Sequence, residues 1–181
     1  MLIALVGNIG CGKNTLADQL VAEYGFIKFS FAACLKDVVS VMFGWDRQMV
    51  EGVSPQSREW RETVDEWWGA RLGVPNFTPR LALQMIGTNV IRCGFHPDFW
   101  VIHVEKEIRK LLAVDPTISI VVSDCRFENE ARMIRTFGGR IVRILHLNPA
   151  PITHESEQIH DICVDFECIG GGQTVAADLL A

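Results

Sequence analysis

Gly7, Gly12 and Lys13 stand at the spacing of a loop built to hold phosphate, in the run Gly7-Asn8-Ile9-Gly10-Cys11-Gly12-Lys13-Asn14-Thr15. A backbone that cradles phosphate oxygens must turn sharply and approach them with no Cβ in the way, which glycine permits. A helix starting at the end of such a loop adds its positive end, and a lysine adds a mobile point charge for the outer phosphates. The apolar run Leu2–Val6 before the loop and the helical pattern after it supply the strand-loop-helix context that the motif demands. We therefore expect Gly7, Asn8, Gly10, Cys11, Gly12, Lys13, Asn14 and Thr15 to bind ATP. The usual pattern has a hydroxyl directly after the lysine. Here Asn14 intervenes, so the hydroxyl expected to serve phosphate or Mg²⁺ is that of Thr15. Glycines at 7, 10 and 12 do not make the dinucleotide fingerprint.

A second constellation is Asp124-x-Arg126-x3-Glu130, which follows an apolar stretch ending at Val122. Asp124 is expected at the carboxyl end of a strand, where α/β sheets bind ligands. Arg126 and Glu130 are one helical turn apart, so a bracing ion pair is the competing reading. A third set lies after Thr78-Pro79, which reads as N-cap and first helical residue. Arg80, Gln84 and Thr88 recur on one face there, and Leu83, Ile86 and Val90 on another. A basic and amide-bearing face could meet a nucleotide, and an ordinary solvated face has the same periodicity. No NKxD segment for guanine appears, which counts against a switch GTPase.

The elements that must position these residues alternate. Strands are expected at Leu2–Val6, Phe26–Phe31, Thr117–Val122, Arg140–Leu147 and Phe166–Ile169. Helices are expected from Lys13 to Gly25, Ala32 to Met42, after Pro79, after Asp98 and after Arg126. Trp60, Val64, Trp67 and Trp68 share a helical face, read mainly as packing within an insertion or at a dimer contact. Residues 148–161 read as a polar loop and the end of the chain as a short helix. Alternation of strand and helix implies an α/β fold with a mostly parallel central sheet covered on both faces. The 181 residues suit one domain, 1–181, with a helical insertion around 45–98.

Composition narrows the partners. The net charge of −5 disfavours nonspecific nucleic-acid binding, so no nucleic-acid partner is expected. No apolar run approaches the roughly 20 residues of a membrane span, and Leu2–Val6 lacks the basic flank of a signal peptide. A soluble, cytoplasmic protein with no membrane partner is the expectation. The six cysteines (Cys11, Cys34, Cys93, Cys125, Cys163 and Cys168) form no CxxC pair and match no zinc template, so reduced thiols are expected.

Several of these segments together resemble a known family. Gly7–Asp18, Leu35-Lys36-Asp37, Arg80–Thr88, Asp98–Trp100, Asp124–Ala131 and His154-Glu155-Ser156-Glu157 occur in the order seen in deoxynucleoside monophosphate kinases of tailed phages. The resemblance runs nearly end to end and is weakest at 45–77. It implies a three-layer P-loop NTPase fold with a helical substrate-binding insertion. It also implies Mg²⁺-assisted transfer of the γ-phosphate of ATP to a deoxynucleoside 5′-monophosphate, in the host cytoplasm if phage-encoded. By the same resemblance Lys36, Arg80, Gln84, Gly87, Thr88, Trp100, Asp124, Arg126 and Glu130 are substrate-binding, with Lys13, Arg126 and Asp124 at the chemistry. Two departures stand out: Asn14 replaces the family's usual Asp, and Leu81 replaces a frequent second basic residue. A homodimer is compatible with this reading. The rival readings are a P-loop kinase for another small acceptor, such as dephospho-coenzyme A, and a non-catalytic nucleotide-binding module.

Overall fold

The computed structural model describes residues 1–8, 10–145 and 162–169. Five strands form one parallel sheet: β1 (Leu2–Val6), β2 (Ile27–Phe29), β3 (Ile120–Val122), β4 (Arg140–Leu145) and β5 (Phe166–Ile169), in the order β2-β3-β1-β4-β5. The apolar run of β1 is buried throughout because strands flank it on both sides and helices cover both faces. Its residues alternate. Leu2, Ala4 and Val6 pack with α7 (Phe99–Val114) and α8 (Glu128–Thr136), while Ile3 and Leu5 pack with Leu16, Ala17 and Leu20 of α1 (Lys13–Tyr24). Three layers follow from that alternation, and the α/β architecture with a parallel sheet is as the sequence implies.

The connection leaving β1 runs to the β2 side, and that leaving β3 runs past β1 to β4. With right-handed crossovers the two helices must lie on opposite faces, so a crevice opens at the carboxyl ends of β1 and β3. Those two strands pair directly, with Leu2 opposite Ile120 and Ala4 opposite Val122.

The chain divides into two compact units. The sheet unit comprises Met1–Phe31 and Val101–Ala181, and the helical unit is Ala32–Trp100. The helical unit holds α2 (Ala32–Phe43), α3 (Arg47–Glu51), α4 (Pro55–Glu62), α5 (Glu66–Leu72) and α6 (Pro79–Gln84). A π-helical segment, Met85–Cys93, continues α6. The unit has its own core of Val39, Val50, Phe77, Ala82 and Leu83, ringed by Phe43, Trp45, Trp60 and Trp68.

Several expected boundaries shift for local reasons. Thr117 does not start a strand, because the Asp115 carboxylate accepts its N–H at 2.8 Å and its hydroxyl at 2.6 Å, which closes a turn. The tryptophan face splits between two helices. Asp65 caps α5 by accepting the Trp68 N–H at 3.0 Å, so Trp60 and Trp68 reach the core from separate helices while Trp67 is 54% exposed. Thr78 caps α6 as expected, accepting the Leu81 N–H at 3.1 Å. The change to π winding after Gln84 then breaks the single face expected for residues 80–90: Leu83 is buried, but Val90 is 54% exposed. Strand β4 is described as far as Leu145. The polar loop at 148–161 and the terminal helix lie outside the described residues. No described helix is long and apolar enough to cross a membrane.

Candidate active site

The glycine loop has the geometry its sequence requires. A Cβ on Gly7 would lie 2.5 Å from Cys11 Sγ and 2.6 Å from the Ile144 carbonyl oxygen, so no larger residue fits without moving β4 or the loop. Gly12 caps α1 at φ 96°, a left-handed conformation that favours glycine. No side chain caps this helix start, and its first backbone bond is from the Leu16 N–H to the Gly12 carbonyl at 3.0 Å. The N–H groups of the first turn are thus available to an anion. Asn8 Oδ1 is buried with no hydrogen-bond partner among the described residues, a polar group that a ligand in the loop can satisfy.

Lys13 folds back over the same loop. Its Nζ donates to the Gly7 and Asn8 carbonyls, both at 2.7 Å, and reaches Cys11 Sγ at 3.5 Å. Burial pushes this ammonium below the ordinary lysine value; the Cys11 sulfur opposes that shift, Arg126 adds to it, and Asp124 opposes it. Lys13 therefore lies within the field of both Arg126 and Asp124 inside the sheet unit.

Asp124 and Arg126 leave the end of β3 on either side of Cys125, which is fully buried in the core; burial pushes its thiol well up. The inward cysteine leaves its two neighbours half-buried at the sheet edge. Asp124 accepts the Ser30 hydroxyl at 2.7 Å and the Phe31 N–H at 2.8 Å. Glu130, 2% exposed, accepts the Arg126 N–H at 2.7 Å and the Phe127 N–H at 3.1 Å, so its carboxylate closes the turn that starts α8. The side-chain ion pair between Arg126 and Glu130 does not form. Among the described residues the Arg126 guanidinium has no hydrogen-bond or ion-pair partner.

The remaining expected residues belong to the helical unit. Lys36 is bound to Glu51, which also takes Arg47 at 2.5 Å. Burial would raise the Glu51 carboxyl, but Lys36 and Arg47 outweigh it and hold it below the usual range. Arg80 is paired with Glu62. Gln84 and Thr88 are half-buried on either side of the change to π winding. Trp100 is 4% exposed, and its indole N–H donates to the Gly87 carbonyl at 3.0 Å. Gly87 itself is buried against Leu35.

No family model matches the chain. It is 34% identical over 152 residues to a protein of Acanthamoeba polyphaga mimivirus named "Putative deoxynucleotide monophosphate kinase", a match spanning 80% of this chain and 73% of that protein. The chain belongs to the nucleotide kinase family. In a nucleotide kinase an uncapped helix start, a glycine loop and a lysine have the chemistry to hold a donor's phosphates. The family implies Mg²⁺ with that donor. Among the described residues no three His, Cys, Asp or Glu side chains are grouped to hold a metal ion. Mg²⁺ binds through one or two protein oxygens and the phosphates themselves. Exposed Thr15, on the first turn of α1, and Asp124 supply oxygen ligands of the right chemistry; Asn14, also exposed, offers only an amide.

Sequence reasoning passed over Ser30 and the Phe31 N–H, which hold Asp124. The only signal was a hydroxyl directly after β2, and its partner lies 94 positions further along the chain.

Proposed function

We propose that this kinase transfers the γ-phosphoryl group of ATP to a deoxynucleoside 5′-monophosphate, and that it is of the tailed-phage type. A phosphate oxygen of the acceptor forms the new bond to the γ-phosphorus. The bond from that phosphorus to the β–γ bridging oxygen breaks, and ADP leaves with the electron pair. Mg²⁺, when bound with ATP, neutralises charge on the phosphates, with Thr15 as its hydroxyl ligand.

In this reading the loop amides and Lys13 position the β- and γ-phosphates, and Arg126 takes the acceptor phosphate. Phosphoryl transfer asks little covalent chemistry of the protein, so alignment and charge neutralisation carry the catalysis. Arg80, Gln84, Gly87, Thr88, Trp100 and Lys36 are assigned to the acceptor by family resemblance. Arg80 and Lys36 exchange a carboxylate partner for the ligand when they act.

The observation that carries the proposal is the half-buried Arg126 guanidinium. It has no carboxylate partner among the described residues, it sits at the carboxyl end of β3, and it lies in the field of Lys13. A guanidinium with no carboxylate partner keeps its planar fork open, and that fork matches two phosphate oxygens. The test is a coupled ADP-release assay with Mg²⁺, ATP and a panel of deoxy- and ribonucleoside monophosphates and dephospho-coenzyme A. Turnover confined to deoxynucleoside monophosphates is expected. Arg126→Ala should lower kcat/KM for the acceptor at least tenfold, the effect of losing a charge-assisted bond of about 1.5–3 kcal/mol. ATP affinity measured alone should stay near normal. Unchanged acceptor kinetics in that variant would remove the assignment, and turnover on dephospho-coenzyme A alone would replace the substrate.

A further inference from the structure

We propose that Ser30 is a positioning residue for phosphoryl transfer, its hydroxyl fixing the plane of the Asp124 carboxylate at the end of β3. This rests on the reading of Lys13, Asp124 and Arg126 as the transfer site. The two oxygens of Asp124 are held separately: Oδ2 accepts the Ser30 hydroxyl at 2.7 Å, and Oδ1 accepts the Phe31 N–H at 2.8 Å. A single bond would leave the carboxylate free to turn about its last torsion, which is broad for aspartate. One bond to each oxygen, from successive residues, stops that rotation.

The anchor is itself anchored. Ser30 follows β2, an edge strand of three residues whose Phe29 pairs with Val122. The Ser123 N–H donates to the Phe29 carbonyl at 3.0 Å, so the two strand exits are tied immediately before Ser30 and Asp124. A serine hydroxyl has one proton, and here it is committed to Asp124. Ser30 therefore acts through Asp124 and not as a donor to the substrate. The Phe31 bond belongs to the backbone and survives any side-chain change at 30, so removing the hydroxyl takes away the one side-chain bond from Ser30 that sets the carboxylate plane. Misplacement of a catalytic group on the order of 1 Å can cost up to about a hundredfold in rate. For a carboxylate that has lost the Ser30 bond we expect about tenfold.

The experiment compares wild type, Ser30→Ala, Ser30→Thr and Asp124→Asn, with kcat, both KM values and thermal midpoints measured for each. Ser30→Ala should lower kcat about tenfold while both KM values stay within about twofold, and Ser30→Thr should recover most of the loss. In the Asp124→Asn background the alanine change should lower kcat by less than about twofold, because there is no carboxylate left to position. A lowered midpoint with unchanged kcat would show that the bond only ties down the edge strand, and would overturn the proposal. So would an undiminished effect in the Asp124→Asn background. If wild type phosphorylates no monophosphate, the functional reading fails instead. The positioning role is then read from calorimetric titration of ATP at graded Mg²⁺: Ser30→Ala and Asp124→Asn should move the Mg²⁺ requirement in the same direction. A Ser30→Ala titration that matches wild type would overturn the role.

Discussion

Lys13 is the residue whose environment says most about the kinase. Its ammonium is buried and held by two carbonyls of its own loop, and its proton affinity is lowered chiefly by that burial. Bound phosphates would raise that affinity again. As pH climbs into the range where free Lys13 loses its proton, ATP binding should take up a proton and weaken with rising pH. The uptake is measurable as a buffer-dependent binding enthalpy. Lys13→Met should abolish both the proton uptake and nearly all turnover while leaving the far-UV spectrum of the folded chain. The stability term has a definite sign. The folded value lies below the unfolded one, so the unfolded chain holds more protons between them and stability rises with pH across that alkaline window. Thr15 and Asn14 are both exposed on the first turn of α1. If the hydroxyl is the Mg²⁺ ligand, Thr15→Val should raise the Mg²⁺ needed for half-maximal rate several-fold, and Asn14→Ala should leave it near wild type. The opposite ranking would assign the metal to Asn14.

At the scale of elements, the turn between β3 and α8 depends on one buried carboxylate. Glu130 receives two backbone N–H groups from the residues that carry and follow Arg126. Glu130→Ala leaves those donors unsatisfied next to the core. It should cost about 2–3 kcal/mol in unfolding free energy, read from chemical denaturation, and lower acceptor kcat/KM by displacing Arg126. Glu130→Gln keeps an accepting oxygen and should lose less than half as much. Equal losses in both variants would mean that the charge, and not the bonded turn, is what the site uses. The one-turn spacing leaves an ion pair between Glu130 and the Arg126 side chain as a competing reading, and that pair does not form. The competing bonds win because the backbone donors at a helix start have no other partner, whereas a guanidinium at the sheet edge still has solvent.

The whole molecule separates two cores. The sheet unit is packed by α1, α7 and α8 on either face of β1, and the helical unit by Val39, Val50 and Phe77 within a ring of aromatic side chains. A void in the second core should therefore be felt apart from the loop. Val50 is fully buried, and Val50→Ala should lower stability by about 2 kcal/mol from lost burial and cavity formation. ATP affinity, which the proposed function assigns to residues of the sheet unit, should stay within about twofold. A fall in ATP affinity in step with stability would show that the two cores fold and bind as one.

The sequence by itself determined the parts set by local rules. A continuous apolar run before a glycine loop must be a buried strand. Thr78-Pro79 must start a helix, and Gly25 must end one, as its left-handed conformation at φ 69° confirms. Alternation of strand and helix then left little choice but a parallel sheet with both faces covered. Only the tertiary structure decided which side chains meet. Ser30 and Asp124 are 94 positions apart and touch because β2 and β3 are adjacent in the order β2-β3-β1-β4-β5. Helical spacing alone does not show the switch to π winding at Met85 or the break between Trp60 and Trp68, where the Asp65 cap starts a new helix. Spacing also cannot tell a carboxylate that pairs with a neighbouring arginine from one that closes a backbone turn. Residue types set what bonds can form; burial and the competition for unsatisfied backbone donors set which ones do.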